Sequence, residues 1–420
     1  ERKDMEYGLV GEKLGHSFSR EIHNLLASYT YDLKELPKNE LDTFMKSRNF
    51  KGVNVTIPYK ESVIPYLDEI DEAAKAIGAV NTIVNREGRL IGYNTDFYGM
   101  RELLLSRSIR IEKRFVAVLG TGGTSKTACA VAKSLGASRI VRVSRNPHSD
   151  GDISYDELEA IKTDIQIIIN TTPVGMYPNE NCAPLYIDGF SALEGVVDAI
   201  YNPLRTKLIS DARARQIRAA GGLYMLVAQA ARAAELFTGD CNMMQKTEKA
   251  YCSILKNKQN IVLVGMPGSG KSTLGRMLAK KTGKAFYDSD SEIEKQTGMC
   301  IPDYFSKYGE DGFRAIETDV IKRLSLLGGI VIATGGGAVI RSENIDSLAK
   351  NGIIVYLDRP ISDIKITSNR PLTRSVDDLK KKYYERHEMY EKSADITVMV
   401  KGSEKSTLST LINALKDVKV

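Results

Sequence analysis

The segment GMPGSGKST (Gly265–Thr273) has the residue spacing of a loop that binds the phosphates of a nucleotide. Its glycines let backbone N–H groups curl around a phosphate. Lys271 brings a positive charge to the β- and γ-oxygens, and the Ser272 hydroxyl suits a Mg²⁺ ion. The β-branched run NIVLVG precedes the loop and LGRMLAKKTG follows it, so the pattern predicts a strand, a phosphate loop and a helix.

Acidic, basic and glycine residues with matching chemistry follow this loop. Asp288 and Asp290 end a second predicted strand, where ligands of open α/β sheets bind. One carboxylate suits the metal and the other an acceptor hydroxyl, although either could instead cap the next helix. Arg314 lies in GEDGFRAIE, and three glycines (335–337) directly follow the strand-like IVIAT, where glycine makes room for a small ligand.

A second glycine turn, GTGGTS (Gly120–Ser125), lies between a predicted strand and a predicted helix. It is a variant of the dinucleotide-binding pattern and is weak evidence alone. The next strand, RIVRVS, ends in Ser144 and Arg145, where an acid would hold the ribose 2′-hydroxyl of NAD. Arg145 instead favours the 2′-phosphate of NADP, the alternative being an arginine that is simply exposed.

Polar side chains recur at strand ends and turns in the first hundred residues. Taken singly, they could be helix caps or surface residues. Taken together, they predict a pocket for a polyhydroxylated acid. They are Ser17, Ser19, Asn54, Thr56, Lys60, Asn81 and Asp96.

The C-terminal motifs together resemble shikimate kinase over 260–420: the phosphate loop, D-x-D, GFR-x-x-E, TGGG, NRPL and ER…Y. The resemblance implies that Asp290 binds the ring hydroxyls of shikimate and accepts the proton of the hydroxyl that is phosphorylated. It also implies that Ser272, and Asp288 through water, bind Mg²⁺. It implies a substrate site of Asp290, Arg314, Gly336, Gly337 and Arg386, catalytic roles for Lys271, Asp290 and Arg370, and an ATP site of Gly268, Ser269, Gly270, Lys271, Ser272, Thr273 and Arg370. His387 and Glu388 depart from the family, which often has proline two residues after the arginine.

The N-terminal motifs resemble shikimate dehydrogenase over Met5–Leu255, with NTTPVGM, DAIYNPLRT and MLVAQAA adding to the match. The resemblance implies that Lys60 and Asp96 are catalytic. It implies a substrate site of Ser17, Ser19, Asn54, Thr56, Lys60, Asn81, Asp96, Tyr201 and Gln229, and an NADP site of Gly120, Gly122, Gly123, Ser144, Arg145, Thr171 and Met225. Arg20 departs from the family, which usually has proline there.

Alternating apolar runs and amphipathic stretches predict an α/β fold with parallel sheets. We expect an α/β substrate domain at 5–100 and a Rossmann-type NADP domain with closing helices at 101–255, the last helix covering Met243–Leu255. A short linker at 256–259 then leads to a P-loop kinase domain at 260–420.

The composition restricts the remaining function classes. The formal net charge of +6 is diffuse, so we expect no nucleic acid partner. Five scattered cysteines indicate reduced thiols, and with no membrane span and no secretory segment we expect a cytoplasmic protein. The oligomeric state stays open.

The two resemblances together imply reduction of 3-dehydroshikimate to shikimate with NADPH, then phosphorylation to shikimate 3-phosphate with ATP and Mg²⁺. These metabolites would be the small-molecule partners. Two alternatives stay open: the first half could prefer quinate, or one half could be a non-catalytic binding module.

Overall fold

The computed structural model describes residues 5–14, 17–147, 149, 151–364 and 376–416. The chain divides into two compact units, Glu1–Ile254 and Leu255–Val420. None of the helices in these described ranges combines the length and apolarity that a bilayer crossing needs. The five cysteines are free thiols.

A mixed sheet organises the start of the first unit. Its elements are β1 (Tyr7–Gly11), α1 (Ser19–Leu26), β2 (Tyr31–Glu35), α2 (Leu41–Ser47), β3 (Gly52–Val55), β4 (Glu69–Ile70), α3 (Glu72–Ile77), β5 (Thr82–Arg86), β6 (Arg89–Tyr93) and α4 (Thr95–Ser106). The strand order is β2-β1-β3-β5-β6-β4. Leu9 and Thr82 flank Asn54 on the neighbouring strands β1 and β5. This register brings the polar side chains of β3 and β5 together.

A parallel sheet organises the rest of the first unit. Its elements are β7 (Phe115–Leu119), α5 (Gly123–Ser134), β8 (Arg139–Val143), β9 (Asp152–Ile153), α6 (Tyr155–Ile161), β10 (Ile167–Asn170), β11 (Gly195–Asp198), α7 (Lys207–Ala214), β12 (Arg218–Ala220), α8 (Leu223–Thr238) and α9 (Thr247–Lys258). The strand order is β12-β11-β10-β7-β8-β9. Strands β7, β10 and β11 are buried throughout, as expected for parallel strands covered on both faces.

The second unit is a parallel sheet with helices. Its elements are β13 (Asn260–Val264), α10 (Lys271–Thr282), β14 (Ala285–Asp288), α11 (Ser289–Thr297), α12 (Ile301–Ser325), β15 (Ile330–Ala333), α13 (Ser342–Asn351), β16 (Gly352–Asp358), α14 (Val376–Ser393), β17 (Ile396–Met399) and α15 (Glu404–Lys416). The strand order is β14-β15-β13-β16-β17. Strands β14 and β15 lie on one side of β13, and the chain then crosses from β15 to β16 on the other side, so the strand order reverses at β13. Ligands bind at such a switch point.

Two details differ from the sequence expectation. Strand β5 is antiparallel to both β3 and β6, so the first sheet is not purely parallel. The reason is local: only Glu87 and Gly88, both with positive φ, separate β5 from β6, and two such residues form a tight hairpin. The predicted linker is also wrong in part, because residues 256–258 complete helix α9 and Gln259 alone precedes β13.

Candidate active sites

The first unit pairs a lysine with an aspartate. Lys60 lies in the loop after β3, and Asp96 lies in the first turn of α4. Lys60 Nζ is 2.5 Å from Asp96 Oδ2, with the side chains 21% and 13% exposed. Asn94 caps α4 by accepting a hydrogen bond from the Phe97 N–H at 3.1 Å. Asp96 is therefore not the cap, and its carboxylate is available to hold the lysine.

A buried amide and hydroxyl network lies on the strands beside this pair. Asn54 Nδ2 donates to Thr82 Oγ1 at 2.9 Å. Asn81 Oδ1 accepts from the Thr95 N–H at 2.7 Å, and Asn81 Nδ2 donates to Gln229 Oε1 at 3.4 Å. Both predicted asparagines are more than nine-tenths buried. Four of the residues predicted to bind the ring hydroxyls of the substrate therefore lie close together. Asn54, Asn81 and Gln229 belong to this network, and Asp96 lies in the adjoining first turn of α4.

The two predicted serines adjoin each other at the start of α1. Ser17 Oγ donates to Ser19 Oγ at 3.0 Å and accepts from the Ser19 N–H at 3.2 Å. The ring of Phe18, between them, is 5.3 Å from the ring of Tyr201. Burial raises the pKa of Tyr201, so its phenol stays neutral. Thr56, just past the end of β3, is half-buried, and its backbone N–H bonds to β1.

The glycine turn after β7 has the geometry of a dinucleotide site. Gly120 has φ +107°, and a Cβ there would lie 2.8 Å from Thr171 Oγ1, so both the turn and this close approach require glycine. Apart from adjacent residues and the backbone of α5 itself, no atom of the described residues lies within 4 Å of a Cβ built at Gly122 or Gly123. The open N-terminus of α5 therefore fits a pyrophosphate.

The strand end beside that turn carries the predicted phosphate ligands. Ser144 Oγ donates to the Asn146 carbonyl at 3.0 Å and accepts from its N–H at 3.2 Å, which shapes a small turn. Arg145 is exposed there, as a ligand for a 2′-phosphate requires. Met225 is buried on α8.

The phosphate loop of the second unit connects β13 to α10. Lys271 is 8% exposed, and its Nζ donates to the carbonyls of Gly265 and Met266 at 2.8 and 2.9 Å. The Lys271 ammonium therefore lies against the backbone of the phosphate loop. Ser269 differs from the expectation, because it is fully buried and is absent from the lining of the adjoining cavity. Its side chain packs into the protein, and only its backbone can serve ATP.

The side chains of Ser272 and Asp288, which are predicted to bind the metal, are hydrogen-bonded to each other. Ser272 Oγ donates to Asp288 Oδ2 at 2.5 Å, while Asp288 Oδ1 caps α11 by accepting from the Asp290 N–H at 3.1 Å. Asp288 therefore caps α11 and also lies beside Ser272, the other residue predicted for the metal. A hydroxyl and a carboxylate fit a hard cation such as Mg²⁺, which takes few protein ligands and completes its shell with phosphates and water.

Asp290 differs from its neighbour in having an unsatisfied oxygen. Its Oδ1 is buried without a hydrogen-bond partner in the described ranges. Burial, and then the charges of Asp288 and Glu317, raise the pKa of Asp290 to about 7. An acceptor oxygen with this pKa suits a substrate hydroxyl that must lose its proton.

A buried ion pair lies across the same cavity. Arg314 Nη1 donates to Glu317 Oε2 at 2.7 Å, and the side chains are 6% and 1% exposed. Burial raises the pKa of Glu317, and the charge of Arg314 opposes that rise. Arg314 Nε is buried without a hydrogen-bond partner among the residues described, so a donor is left for an anionic ligand.

The second predicted arginine is held by the glycine segment after β15. Arg386 Nη1 and Tyr390 Oη both donate to the Gly336 carbonyl, at 3.1 and 2.5 Å. A cavity of about 830 Å³ brings the predicted kinase residues together. Its lining includes Gly268, Gly270, Lys271, Ser272, Thr273, Asp288, Asp290, Arg314, Gly336, Gly337 and Arg386. Arg370 lies outside the described residues.

Sequence reasoning missed several polar residues of these sites. Tyr31 Oη donates to Asn54 Oδ1 at 2.7 Å, and its ring stacks on that of His23 at 3.8 Å. Burial lowers the pKa of His23 to about 3, so a neutral imidazole supports the tyrosine. Glu317 was within reach, because it ends the GFR-x-x-E motif. Arg359, which lines the kinase cavity just after β16, carried no sequence signal.

Comparisons with known proteins agree with this geometry. Residues 9–83 match the family model described as shikimate dehydrogenase substrate binding domain, and residues 267–416 match that of shikimate kinase. The shikimate dehydrogenase (NADP(+)) of Clostridium beijerinckii is 39% identical over 268 residues, covering 60% of this chain and 98% of its own length. The chain belongs to the shikimate dehydrogenase family. It also carries a shikimate kinase domain, so it is an enzyme with two catalytic units.

Further relatives of the dehydrogenase unit agree. The Pyrococcus abyssi shikimate dehydrogenase (NADP(+)) is 38% identical and covers 57% of this chain and 96% of its own length. The chorismate mutase/shikimate 5-dehydrogenase fusion protein of Clostridium acetobutylicum has a TM-score of 0.55 at 38% identity, covering 60% of this chain and 97% of its own. The Thermus thermophilus shikimate 5-dehydrogenase, solved with NADP(H) and shikimate, has a TM-score of 0.52 at 28% identity, with 59% and 99% covered. The expected α/β fold class is confirmed.

Proposed function

We propose that the dehydrogenase unit reduces 3-dehydroshikimate to shikimate with NADPH. The contact between Lys60 and Asp96 carries the proposal. The Lys60 ammonium donates its proton to the ketone oxygen as the adjoining carbon accepts a hydride, and solvent then returns a proton to the amine. Asp96 orients Lys60, and its second oxygen accepts a hydrogen bond from a ring hydroxyl.

The rest of the dehydrogenase pocket orients the substrate. Ser17, Ser19 and Tyr201 offer hydroxyls to its carboxylate, and the two rings at 5.3 Å link the serine turn to the tyrosine loop. Thr56 and the amides of Asn54, Asn81 and Gln229 bind or support the ring hydroxyls. Because Asn54 Oδ1 accepts from Tyr31, its amide is held in one orientation, with Nδ2 on the side of Thr82.

NADPH, when bound, supplies the hydride. Gly120, Gly122 and Gly123 give the pyrophosphate an open helix N-terminus, and Arg145 with Ser144 receives the 2′-phosphate. Thr171 lies in the loop next to this turn, and Met225, on α8, is a further proposed contact of the cofactor. The relatives' names support the choice of NADP.

We further propose that the kinase unit transfers the γ-phosphoryl group of ATP to the 3-hydroxyl of shikimate. Asp290, with its unsatisfied oxygen, accepts the hydroxyl proton as the oxygen attacks. Lys271 and the P-loop N–H groups stabilise charge on the phosphates, and Ser272 with Asp288 holds Mg²⁺. Arg314 and Arg386 bind the shikimate carboxylate, since guanidinium groups match that geometry.

Arg359 adds a ligand for the nucleoside part of ATP. The acceptor residues follow β14 and β15, on one side of β13, whereas Arg359 follows β16 on the other. Phosphates bound over the P-loop would therefore separate shikimate from the base. Arg359 Nη1 is 3.5 Å from the Gly268 carbonyl, and its Nε is buried with no hydrogen-bond partner in the described part of the chain.

A coupled assay tests both activities on the full chain. With 3-dehydroshikimate, NADPH and MgATP, we expect NADPH oxidation and formation of shikimate 3-phosphate. Lys60→Ala should greatly lower the rate of NADPH oxidation and leave phosphorylation of added shikimate unchanged. Asp290→Asn should greatly lower the rate of phosphorylation and leave NADPH oxidation unchanged. Faster oxidation of quinate than of shikimate would contradict the substrate assignment. A unit that binds its ligands without turnover would be a binding module instead.

A further inference from the structure

A buried carboxylate lies between the two ligand-binding loops of the dehydrogenase unit. Asp198 ends β11 and is 0% exposed. Its Oδ1 accepts from Asn170 Nδ2 at 3.0 Å and from the Ile200 N–H at 3.1 Å. Its Oδ2 accepts from Thr206 Oγ1 at 2.7 Å. Asp198 is not among the substrate or cofactor ligands proposed above.

One of these bonds leads to the cofactor turn. Asn170 ends β10, and its Oδ1 accepts from both the N–H and the Oγ1 of Thr172, at 3.0 and 2.8 Å. Thr171, between them, donates its hydroxyl to the Leu119 carbonyl at 2.6 Å and abuts Gly120. Asp198 therefore fixes, through Asn170, the loop that lies against the dinucleotide turn.

The other two bonds enclose the loop that carries Tyr201. The Ile200 N–H is at its start, and Thr206, at its end, is the N-cap of α7. One carboxylate thus holds both ends of the segment between β11 and α7. Tyr201 in that segment contacts Phe18, which lies between the two serines proposed for the substrate carboxylate.

We infer that Asp198 is a positioning residue that couples cofactor binding to binding of the substrate carboxylate. The inference rests on the proposed dehydrogenase function. NADPH would order the loop held through Asn170, and shikimate would order the loop held through Ile200 and Thr206. Because both loops bond to one carboxylate, each ligand should raise the affinity for the other by the same factor.

The coupling can be measured without turnover. NADPH and shikimate are both reduced, so no hydride transfers between them. The fluorescence of NADPH gives its Kd with and without saturating shikimate, and shikimate in the kinase unit is silent in this signal. Burial raises the pKa of Asp198 to about 7, so titrations at pH 8 keep it charged. In the wild type, shikimate should lower the Kd of NADPH by roughly 5- to 150-fold.

Two variants and one matched control decide the outcome. Asp198→Asn turns the oxygen facing Thr206 into a donor, so the factor should fall toward 1 while the Kd of NADPH alone changes little. Thr206→Val removes one donor, should lower the factor less, and decides the matter if the first variant does not fold. Asp152→Asn is the control, since Asp152 is 1% exposed, pairs with Arg142 at 2.6 Å, and lies on the edge strand β9, which β8 and β7 separate from β10 and β11.

Three results would overturn the inference. They are a wild-type factor of 1, an unchanged factor in both variants, and equal loss of affinity in Asp198→Asn and Asp152→Asn with the factor retained. If the wild type reduces 3-dehydroshikimate normally in any of these cases, the proposed function stands and the inference alone fails. A wild type that neither binds NADPH nor reduces 3-dehydroshikimate would end both.

Discussion

The raised pKa of Asp290 makes the kinase reaction testable by its pH dependence. Asp290 must be ionised to accept a proton, and its pKa is raised to about 7 by burial and by Asp288 and Glu317. The ionised fraction of such a group falls from about 0.9 at pH 8 to about 0.1 at pH 6. We therefore expect kcat/KM for shikimate to fall roughly tenfold over this interval.

The assay follows ADP formation by the full chain at saturating MgATP from pH 5.5 to pH 9. Asp290→Asn should lose roughly 10²–10⁴-fold in rate, and its residual activity should show no inflection near pH 7. Dehydrogenase activity of the same samples controls for unfolding. A wild-type profile that stays flat between pH 6 and pH 8 would refute the assignment of Asp290 as the base. So would near-normal turnover in Asp290→Asn.

The same pKa has a consequence for stability, with a defined sign. Since the folded state raises the pKa of Asp290 above its value of 3.8, its contribution to stability is present below pH 4 and is lost as the pH rises through 7. The loss amounts to at most about 4 kcal/mol above pH 7. Asp290→Asn should therefore raise the melting temperature of the kinase unit, identified as the unfolding transition that ATP shifts, more at pH 8 than at pH 5.

Three further substitutions test separate parts of the two sites. Lys60→Ala should lower the dehydrogenase rate by roughly 10²–10⁴-fold with a smaller effect on KM, and near-normal turnover would exclude Lys60 as the proton donor. Gly337→Ala should raise the kinase KM for shikimate by roughly 10- to 100-fold, because the new Cβ would displace the Arg314 guanidinium. Steady-state kinetics should show an unchanged KM for ATP. A raised KM for ATP with an unchanged KM for shikimate would be evidence against this geometry. Arg359→Ala should raise the KM for ATP by roughly 3- to 10-fold. It should leave inhibition by inorganic tripolyphosphate unchanged, because that probe lacks the nucleoside. Equal weakening of ATP and tripolyphosphate binding would assign Arg359 to the phosphates.

The local chemistry of both sites could be predicted because it is written in short motifs. Lys271, Ser272 and Asp288 lie near one another wherever a P-loop strand and its neighbour end at the same sheet edge. Arg145 follows the second strand of the dinucleotide site, where the ribose of the cofactor is expected, and its role as a 2′-phosphate ligand stays a prediction. In each case a spacing within a few residues determines the geometry.

The missed residues depend on pairings that no local pattern encodes. Tyr31 reaches Asn54 only because β2 and β3 both pair with β1. Asp198 looks in sequence like any polar residue that ends an apolar strand, and only the arrangement of three loops turns it into a shared acceptor. Arg359 differs from a surface arginine only through the strand order on either side of β13.

Helix boundaries were predicted less well, for a physical reason. The helix expected at 243–255 begins at Thr247 and runs to Lys258. Polar residues such as Lys256 and Lys258 suggested a linker, but lysine is a good helix former and is favourable in a last turn. Composition alone could not separate a polar helix end from a loop.

That helix also has a consequence for any division of the chain into separate fragments. Tyr251, in its first half, packs edge-on against Tyr224, whereas its last turn offers the Lys256 and Lys258 carbonyls to Lys284 Nζ and the Gly329 N–H, at 2.7 and 2.8 Å. The division between the two compact units therefore falls inside one helix, between Ile254 and Leu255. Cutting the chain before residue 259 would remove two hydrogen-bond acceptors from the second unit, so a kinase fragment that keeps them must begin upstream of Lys256.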